Sequence, residues 1–143
     1  MFFGEYQHSL DIKNRIIIPA KFRPLLGERP ILTWGLDKCI FIFAQSEWAS
    51  FTEKILKLPI SDDGARRFSR FFSSGVYEPD QDAQGRVLIP PYLKQYAELD
   101  KDAVLIGVIN RIEIWSRENW QAYKYDSNFI DNELAHKMAE LGI

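Results

Sequence analysis

Short runs of branched and aromatic residues alternate along this chain with segments in which apolar residues recur every three or four positions. The short runs favour strands, because branched side chains pack well on a pleated, half-buried surface. They predict an extended segment and five strands at 6–10, 15–18, 31–35, 39–43, 104–108 and 112–115. Taken in chain order, these segments predict three hairpins, the first of which joins the extended segment to the first strand.

The segments with helical spacing predict helices over 46–58 and 62–72, each with one apolar face. A short helix is expected after each of Pro19 and Pro90, because proline suits the first helical position, where its missing N–H has no partner to lose. Pro24 is expected to end the first of these short helices early. The predicted mixture of strands and helices is typical of an α+β protein.

The pattern occurs twice within the chain. Residues 11–20 align without a gap on residues 82–91, and four of the ten positions are identical. Both segments contain an Asp-x-x-x-Arg motif followed by three apolar residues and then proline. The later predicted strands also recur in the same order. An internal repeat of this kind indicates a tandem duplication.

Each motif has the residues of a tight turn. Asp11 and Asp82 suit the first position of a type I turn, and Asn14 and Gly85 are the residue types that best tolerate the left-handed conformation of the bulge that follows. The aspartate side chain is expected to accept N–H bonds within the turn and to pair with the arginine four residues later. This predicts an orienting role for the two aspartates and not a catalytic one.

The distribution of charge limits what the chain can bind. The net charge is −2, so binding to nucleic acid would have to depend on local charge. Residues 1–75 contain 11 Lys/Arg and 8 Asp/Glu, whereas residues 76–143 contain 7 and 12. The basic groups are therefore concentrated in the first half of the chain.

Several classes of protein are excluded by what the sequence lacks. Cys39 is the single cysteine, which leaves no internal disulfide or cysteine-based zinc site. His8 and His136 belong to no catalytic or metal-ligand spacing, and there is no glycine-rich phosphate loop. We therefore expect no enzyme, no cofactor, no metal and no small-molecule substrate. Without a signal peptide or a long apolar stretch, a cytoplasmic protein that does not bind membranes is expected.

The paired Asp-x-x-x-Arg motifs, 71 positions apart, together with the segment 112–115 and a Phe-Gly near the start, resemble the bacterial MraZ family of transcriptional regulators over residues 1 to about 125. The resemblance implies a tandem duplication of an AbrB-like swapped-hairpin unit, forming a pseudo-twofold β-barrel-like core with flanking helices. The predicted units are a first repeat with its following helix, a linker helix, a second repeat and a tail with a helical pattern, at residues 1–60, 61–74, 75–125 and 126–143.

The resemblance also implies a function. It implies a sequence-specific, DNA-binding transcriptional regulator of the division and cell-wall gene cluster, including its own gene. Such a protein would bind short G-containing direct repeats in double-stranded DNA as a cyclic homo-oligomer, and would be associated with the nucleoid in the cytoplasm. The alternative is a protein-interaction or antitoxin-like module of the same fold that does not read DNA sequence.

Carried over to this chain, the family's DNA-contacting loops fall on the two turns. Arg15 and Arg86 are expected to read guanine, because an arginine can form two hydrogen bonds to its O6 and N7 atoms. The predicted DNA-binding residues are Lys13, Asn14, Arg15, Lys21, Arg23, Gln84 and Arg86, with Asp11, Asp82 and Gly85 shaping the turns. Lys13, Lys21 and Arg23 are near the first turn in sequence and are expected to contact phosphates. The second turn has no lysine, so we expect it to bind DNA more weakly.

Overall fold

The computed structural model describes all 143 residues. Its strands are β1 (Phe2–Ser9), β2 (Arg15–Ile17), β3 (Ile31–Trp34), β4 (Ile40–Phe43), β5 (Arg86–Leu88), β6 (Asp102–Ile109) and β7 (Ile112–Ser116). Its α-helices are α1 (Arg23–Leu26), α2 (Gln45–Leu56), α3 (Asp63–Ser74), α4 (Pro91–Tyr96), α5 (Arg117–Lys124) and α6 (Leu134–Glu140). A π-helical turn, Phe129–Glu133, leads into α6.

Five antiparallel strands form the main sheet in the order β1-β6-β7-β4-β3. The pairing of β3 with β4 and of β6 with β7 confirms two of the predicted hairpins. The first predicted hairpin is wrong, because β1 pairs with β6 of the second repeat along its whole length and not with β2. The repeats thus exchange strands. A pleated strand pattern specifies which face is buried but leaves the partner strand open.

Equivalent residues of the two repeats face each other at the centre of the molecule. Strands β2 and β5 form a separate two-stranded sheet in which Ile16 lies opposite its counterpart Val87. In the main sheet Phe41 of β4 lies opposite Glu113 of β7. This arrangement gives the chain an internal pseudo-twofold axis, as expected for a tandem duplication.

The core lies between the two sheets, and it is not a closed barrel. Eighteen buried residues form one cluster, to which both the main sheet and the inner face of the β2–β5 pair contribute. Strands β2 and β5 are three residues long, and each is followed closely by a proline, Pro19 or Pro90, which cannot donate to a strand ladder. The two sheets therefore stay separate, and the α+β fold of a tandemly duplicated unit is confirmed with a core that is barrel-like without being closed.

The two long helices, α2 and α3, lie outside this core, whereas α1 and α4 each contribute a leucine to it, Leu26 and Leu93. The predicted helices at 46–58 and 62–72 correspond to α2 and α3, whose aromatic residues pack with Phe41 and Phe43 in a second apolar cluster. Pro24 lies in the first turn of α1 and does not end it, and α4 begins at Pro91, one residue after Pro90. None of the helices is long and apolar enough to cross a membrane.

Candidate nucleic-acid interface

The two Asp-x-x-x-Arg motifs meet in one structural unit, which we call the ribbon: strands β2 and β5 with the first turn, Asp11–Arg15, and the second turn, Asp82–Arg86. Antiparallel pairing places the two turns at opposite ends of the ribbon. Ile16 and Val87 face the core and are fully buried. Because strand side chains alternate between faces, the arginines of both turns lie on the outer face of the ribbon.

Both turns have the predicted backbone geometry. In the first turn the N–H of Asn14 donates to the Asp11 carbonyl at 2.9 Å, and the N–H of Asp11 donates to the Arg15 carbonyl at 2.9 Å. Asn14 has a φ of 60°, which is the left-handed conformation expected at this position. In the second turn Gly85 takes the same place with a φ of 79°. The type I turn followed by a bulge is thereby confirmed in both repeats.

Each aspartate organises its turn with both carboxylate oxygens. Oδ1 of Asp11 accepts the N–H groups of Lys13 and Arg15, both at 2.9 Å, while Oδ2 accepts Nε–H of Arg15 at 2.7 Å. Asp82 accepts the N–H groups of Gln84 and Arg86 at 3.0 and 2.8 Å, and Nε–H of Arg86 at 2.8 Å. The predicted pairing of aspartate with arginine is confirmed in both turns.

These hydrogen bonds also determine the charge of the carboxyl groups. The backbone N–H of Arg15, followed by its side chain, lowers the pKa of Asp11 and outweighs the opposing effect of desolvation. Arg86 lowers the pKa of Asp82 in the same way. Both carboxylates are therefore ionised at neutral pH, and each remains a partner of its arginine.

The aspartate leaves the distal part of each arginine free. Nε of Arg15 and of Arg86 is bonded within the turn, whereas Nη1 and Nη2 of both residues have no hydrogen-bond partner in the chain. The side chains are 28% and 27% exposed. Two adjacent N–H donors in a fixed plane match an acceptor pair such as the O6 and N7 atoms of guanine or two phosphate oxygens.

Arg23 lies at the second turn and not at the first, which corrects the expectation from sequence proximity. Antiparallel pairing brings the N–H of Ile18 within 2.7 Å of the Gly85 carbonyl, so the chain that follows β2 lies beside the opposite turn. Nε–H of Arg23 donates to the Ile18 carbonyl at 2.8 Å, and its side chain covers Gly85. Lys21 is exposed in the intervening segment, and no hydrogen bond or ion pair joins it to the first turn.

Lys94 takes the equivalent place at the first turn. The N–H of Ile89 donates to the Asn14 carbonyl at 2.8 Å, and Nζ of Lys94 on α4 donates to Oδ1 of Asn14 at 2.9 Å. Lys94 is not among the site residues predicted from the sequence. The repeat offset of 71 aligns Lys94 with Arg23, so the duplication could have predicted Lys94 as a site residue.

The charge around the two turns differs. The side chains that form the first turn or hydrogen-bond to it include three basic groups and one carboxylate: Lys13, Arg15, Lys94 and Asp11. The second turn faces a cleft of about 500 Å³, and around it three arginines accompany three acids: Arg23, Arg29, Arg86, Glu28, Asp80 and Asp82. Burial and then the charge of Arg23 lower the pKa of His8, so His8 adds no positive charge at neutral pH. The side chains that form or bond to the first turn thus carry net positive charge, whereas acids balance the arginines that line the cleft at the second turn.

The chain is thus a tandemly duplicated swapped-hairpin protein that presents two arginine-bearing turns on one ribbon. The model of the MraZ protein family, also described as antitoxin-like, matches the chain twice, over residues 1–71 and 72–141. The chain belongs to the MraZ family. The resemblance identified from the paired motifs is thereby confirmed.

Three relatives illustrate the closeness of the match. Transcriptional regulator MraZ of Clostridium tetani is 55% identical over 143 residues, which cover 100% of both chains. The protein of the same name from Acetivibrio thermocellus is 50% identical, again over 100% of both chains. That of Carboxydothermus hydrogenoformans is 49% identical over 140 residues, or 98% of each chain. Their shared name describes a regulator and not an enzyme.

Proposed function

We propose that this protein is a sequence-specific, DNA-binding transcriptional regulator that places its ribbon against double-stranded DNA. The observation that carries the proposal is the paired geometry of Arg15 and Arg86. In both turns an ionised aspartate binds the backbone and Nε of the arginine and leaves its two terminal nitrogens free. The names of the relatives support transcriptional regulation.

The dimensions of the ribbon fit the major groove. Arg15 and Arg86 are diagonal neighbours across the strand pair, which corresponds to roughly 7–8 Å between their Cα atoms. The positions with positive φ in the two turns, Asn14 and Gly85, are four residues apart along the ribbon, because Gly85 lies level with Ile18. This separation is about 13 Å at ~3.3 Å per residue. The major groove is about 12 Å wide and accepts a two-stranded ribbon. Two guanine contacts of roughly 1–3 kcal/mol each would then supply much of the sequence discrimination.

The remaining predicted residues act mainly on the DNA backbone. Lys13 extends from the first turn, and Lys21 is exposed nearby in the chain, so we assign both to phosphates, which orient the protein without reading sequence. Arg23 is assigned to a phosphate beside the second turn, where its side chain covers Gly85. Asn14 and Gln84 belong to the two turns themselves and contact the DNA beside the arginines.

The targets are short G-containing direct repeats upstream of the division and cell-wall gene cluster, including the protein's own gene. A cyclic homo-oligomer suits such sites, because head-to-tail contacts keep neighbouring ribbons in the same orientation and several bound subunits add their affinities through effective concentration. An exposed apolar edge at α2 and α3, with Leu56 84%, Ile60 85% and Phe68 54% exposed, supports self-association. The protein would act at the nucleoid in the cytoplasm.

The experiment that tests this function is a fluorescence anisotropy titration of a labelled duplex from upstream of the protein's own gene, at low and at high salt. A scrambled duplex of equal length is the DNA control. Tight binding to the upstream duplex alone, falling steeply with salt, is expected because phosphate contacts release counterions. Arg15→Ala should weaken this binding, whereas Arg117→Ala on α5 should leave it unchanged.

The same titration can exclude the proposal. Equal binding to both duplexes at both salt concentrations would contradict sequence-specific regulation and favour the protein-interaction alternative. Loss of the thermal transition in Arg15→Ala would show that this arginine supports the fold. Light scattering of the free protein and of the complex measures the number of subunits, and a monomer in both would exclude the ring.

A further inference from the structure

The ammonium group of Lys94 stands at the first turn although α4 belongs to the second repeat. We propose that Lys94 is a phosphate contact of the first turn, so that this DNA-binding surface is assembled from both repeats. The inference rests on the proposed function and adds to it a residue that neither the motif nor its neighbours in sequence contain.

The position of Lys94 is determined by the ribbon and by the packing of α4. Strand β5 runs toward the first turn, and the bond from Ile89 N–H to the Asn14 carbonyl closes that end. Helix α4 begins two residues later, with Leu93 fully buried in the core. The hydroxyl of Tyr96 donates to the Gly35 carbonyl at 2.7 Å and holds the other end of the helix. Lys94 is therefore presented from a fixed helix.

The charge of Lys94 has no counter-ion within the chain. Its Nζ donates to a neutral amide oxygen, Oδ1 of Asn14, at 2.9 Å, and no carboxylate forms an ion pair with it. Four other lysines, Lys38, Lys57, Lys124 and Lys137, are paired with glutamates. An ammonium group has three donors, so Lys94 keeps two of them for an acceptor outside the protein.

The neighbours of Lys94 indicate the chemistry of that acceptor. Lys13 and Arg15 belong to the same turn, and the carboxylate of that turn, Asp11, already accepts three hydrogen bonds. A cluster of cations with this composition, in which Arg15 and Lys94 are half-buried and Lys13 is exposed, attracts an anion with several oxygen acceptors. In the proposed complex that anion is a phosphate of the DNA strand that passes the first turn.

A purely structural role for Lys94 would consist of holding the Asn14 side chain. The two roles are separable, because Asn14→Gly removes the amide acceptor and keeps a residue suited to the positive φ, as Gly85 does in the second turn. Lys94→Gln removes the charge and keeps a donor for Asn14. Lys94→Arg keeps the charge.

The experiment measures the affinity for the upstream duplex over a range of salt concentrations for Lys94→Gln, Lys94→Arg, Asn14→Gly and the Lys94→Gln/Asn14→Gly pair. If Lys94 binds a phosphate, Lys94→Gln should lower the slope of log affinity against log salt by about 0.9. Lys94→Gln should lower the slope whether position 14 is asparagine or glycine. Lys94→Arg should keep the wild-type slope. Lys54→Met, an exposed lysine on α2 without an ion pair, is the control and should leave the slope unchanged.

An unchanged slope in Lys94→Gln, with the wild type still binding specifically, would overturn this inference and leave the proposed function intact. If Lys94→Gln changes the slope in the wild type but not in the Asn14→Gly background, the inference is also overturned, in favour of the structural role. Absence of specific, salt-dependent binding by the wild type would instead overturn the proposed function and this inference together. Thermal unfolding of each variant verifies that the fold is retained.

Discussion

Gly85 provides a quantitative test of whether Arg23, which belongs to the first repeat, packs on the second turn. It has a φ of 79°, and a Cβ added there would collide with Nε and Cζ of Arg23. In Gly85→Ala the left-handed backbone costs about 1–2 kcal/mol. Moving Arg23 away from the Ile18 carbonyl costs about 0.5–1.5 kcal/mol more. The lower entropy of the unfolded chain offsets about 0.4–1 kcal/mol of this cost.

We therefore expect Gly85→Ala to reduce the free energy of unfolding by about 1–2 kcal/mol, equivalent to roughly 3–7 °C in Tm for a chain of this size. The matched control is Gly85→Ala in the Arg23→Ala background, where the added Cβ no longer meets the Arg23 side chain. There the substitution reports the backbone cost alone. Gly85→Ala should be more destabilising with Arg23 present than in its absence, by about 0.5–1.5 kcal/mol.

The assay is urea unfolding followed by tryptophan fluorescence at one protein concentration, for the wild type, Gly85→Ala, Arg23→Ala and the double variant. Once Arg23 is shortened, the alanine at position 85 no longer displaces it, so the two changes should be coupled by about 0.5 kcal/mol or more. Additivity within about 0.3–0.5 kcal/mol would show that Arg23 does not pack on Gly85 in solution. That result would refute the placement of Arg23, a residue of the first repeat, at the second turn.

Three further predictions follow from the same geometry. Arg15→Ala should weaken operator binding by roughly 1–3 kcal/mol and Arg86→Ala by less, because Lys13 and Lys94 accompany the arginine of the first turn whereas the second turn has no lysine; titrations that show the reverse order would contradict this asymmetry. The pKa values of Asp11 and Asp82 lie below their ordinary value of 3.8, so their contribution to stability is complete above that value and is lost as pH falls through the lowered pKa values. Urea unfolding between neutral and acidic pH measures this loss, which the double asparagine variant should lack. Residues 1–74 alone should not fold, because β1 pairs with β6 of the second repeat; cooperative thermal unfolding of this fragment, followed by circular dichroism, would contradict the prediction.

The turns were predictable because their interactions are local. An aspartate, two central residues, and then asparagine or glycine specify the type I turn and bulge, and the arginine lies within reach of the aspartate four residues earlier. Every bond that defines Asp11–Arg15 joins residues at most four positions apart. The repetition of the motif after 71 residues also indicated the duplication and the family.

The partners of the strands and of the basic side chains were decided only by the tertiary structure. The alternation in β1 suits pairing with β2 as well as with β6, and burial of the common core selects β6. That choice, together with the antiparallel β2–β5 pair, places Arg23 at the second turn and Lys94 at the first, although neither is near its turn in sequence. Hydrophobic periodicity encodes the buried face of each strand, whereas the choice of partner depends on packing between residues far apart in the chain.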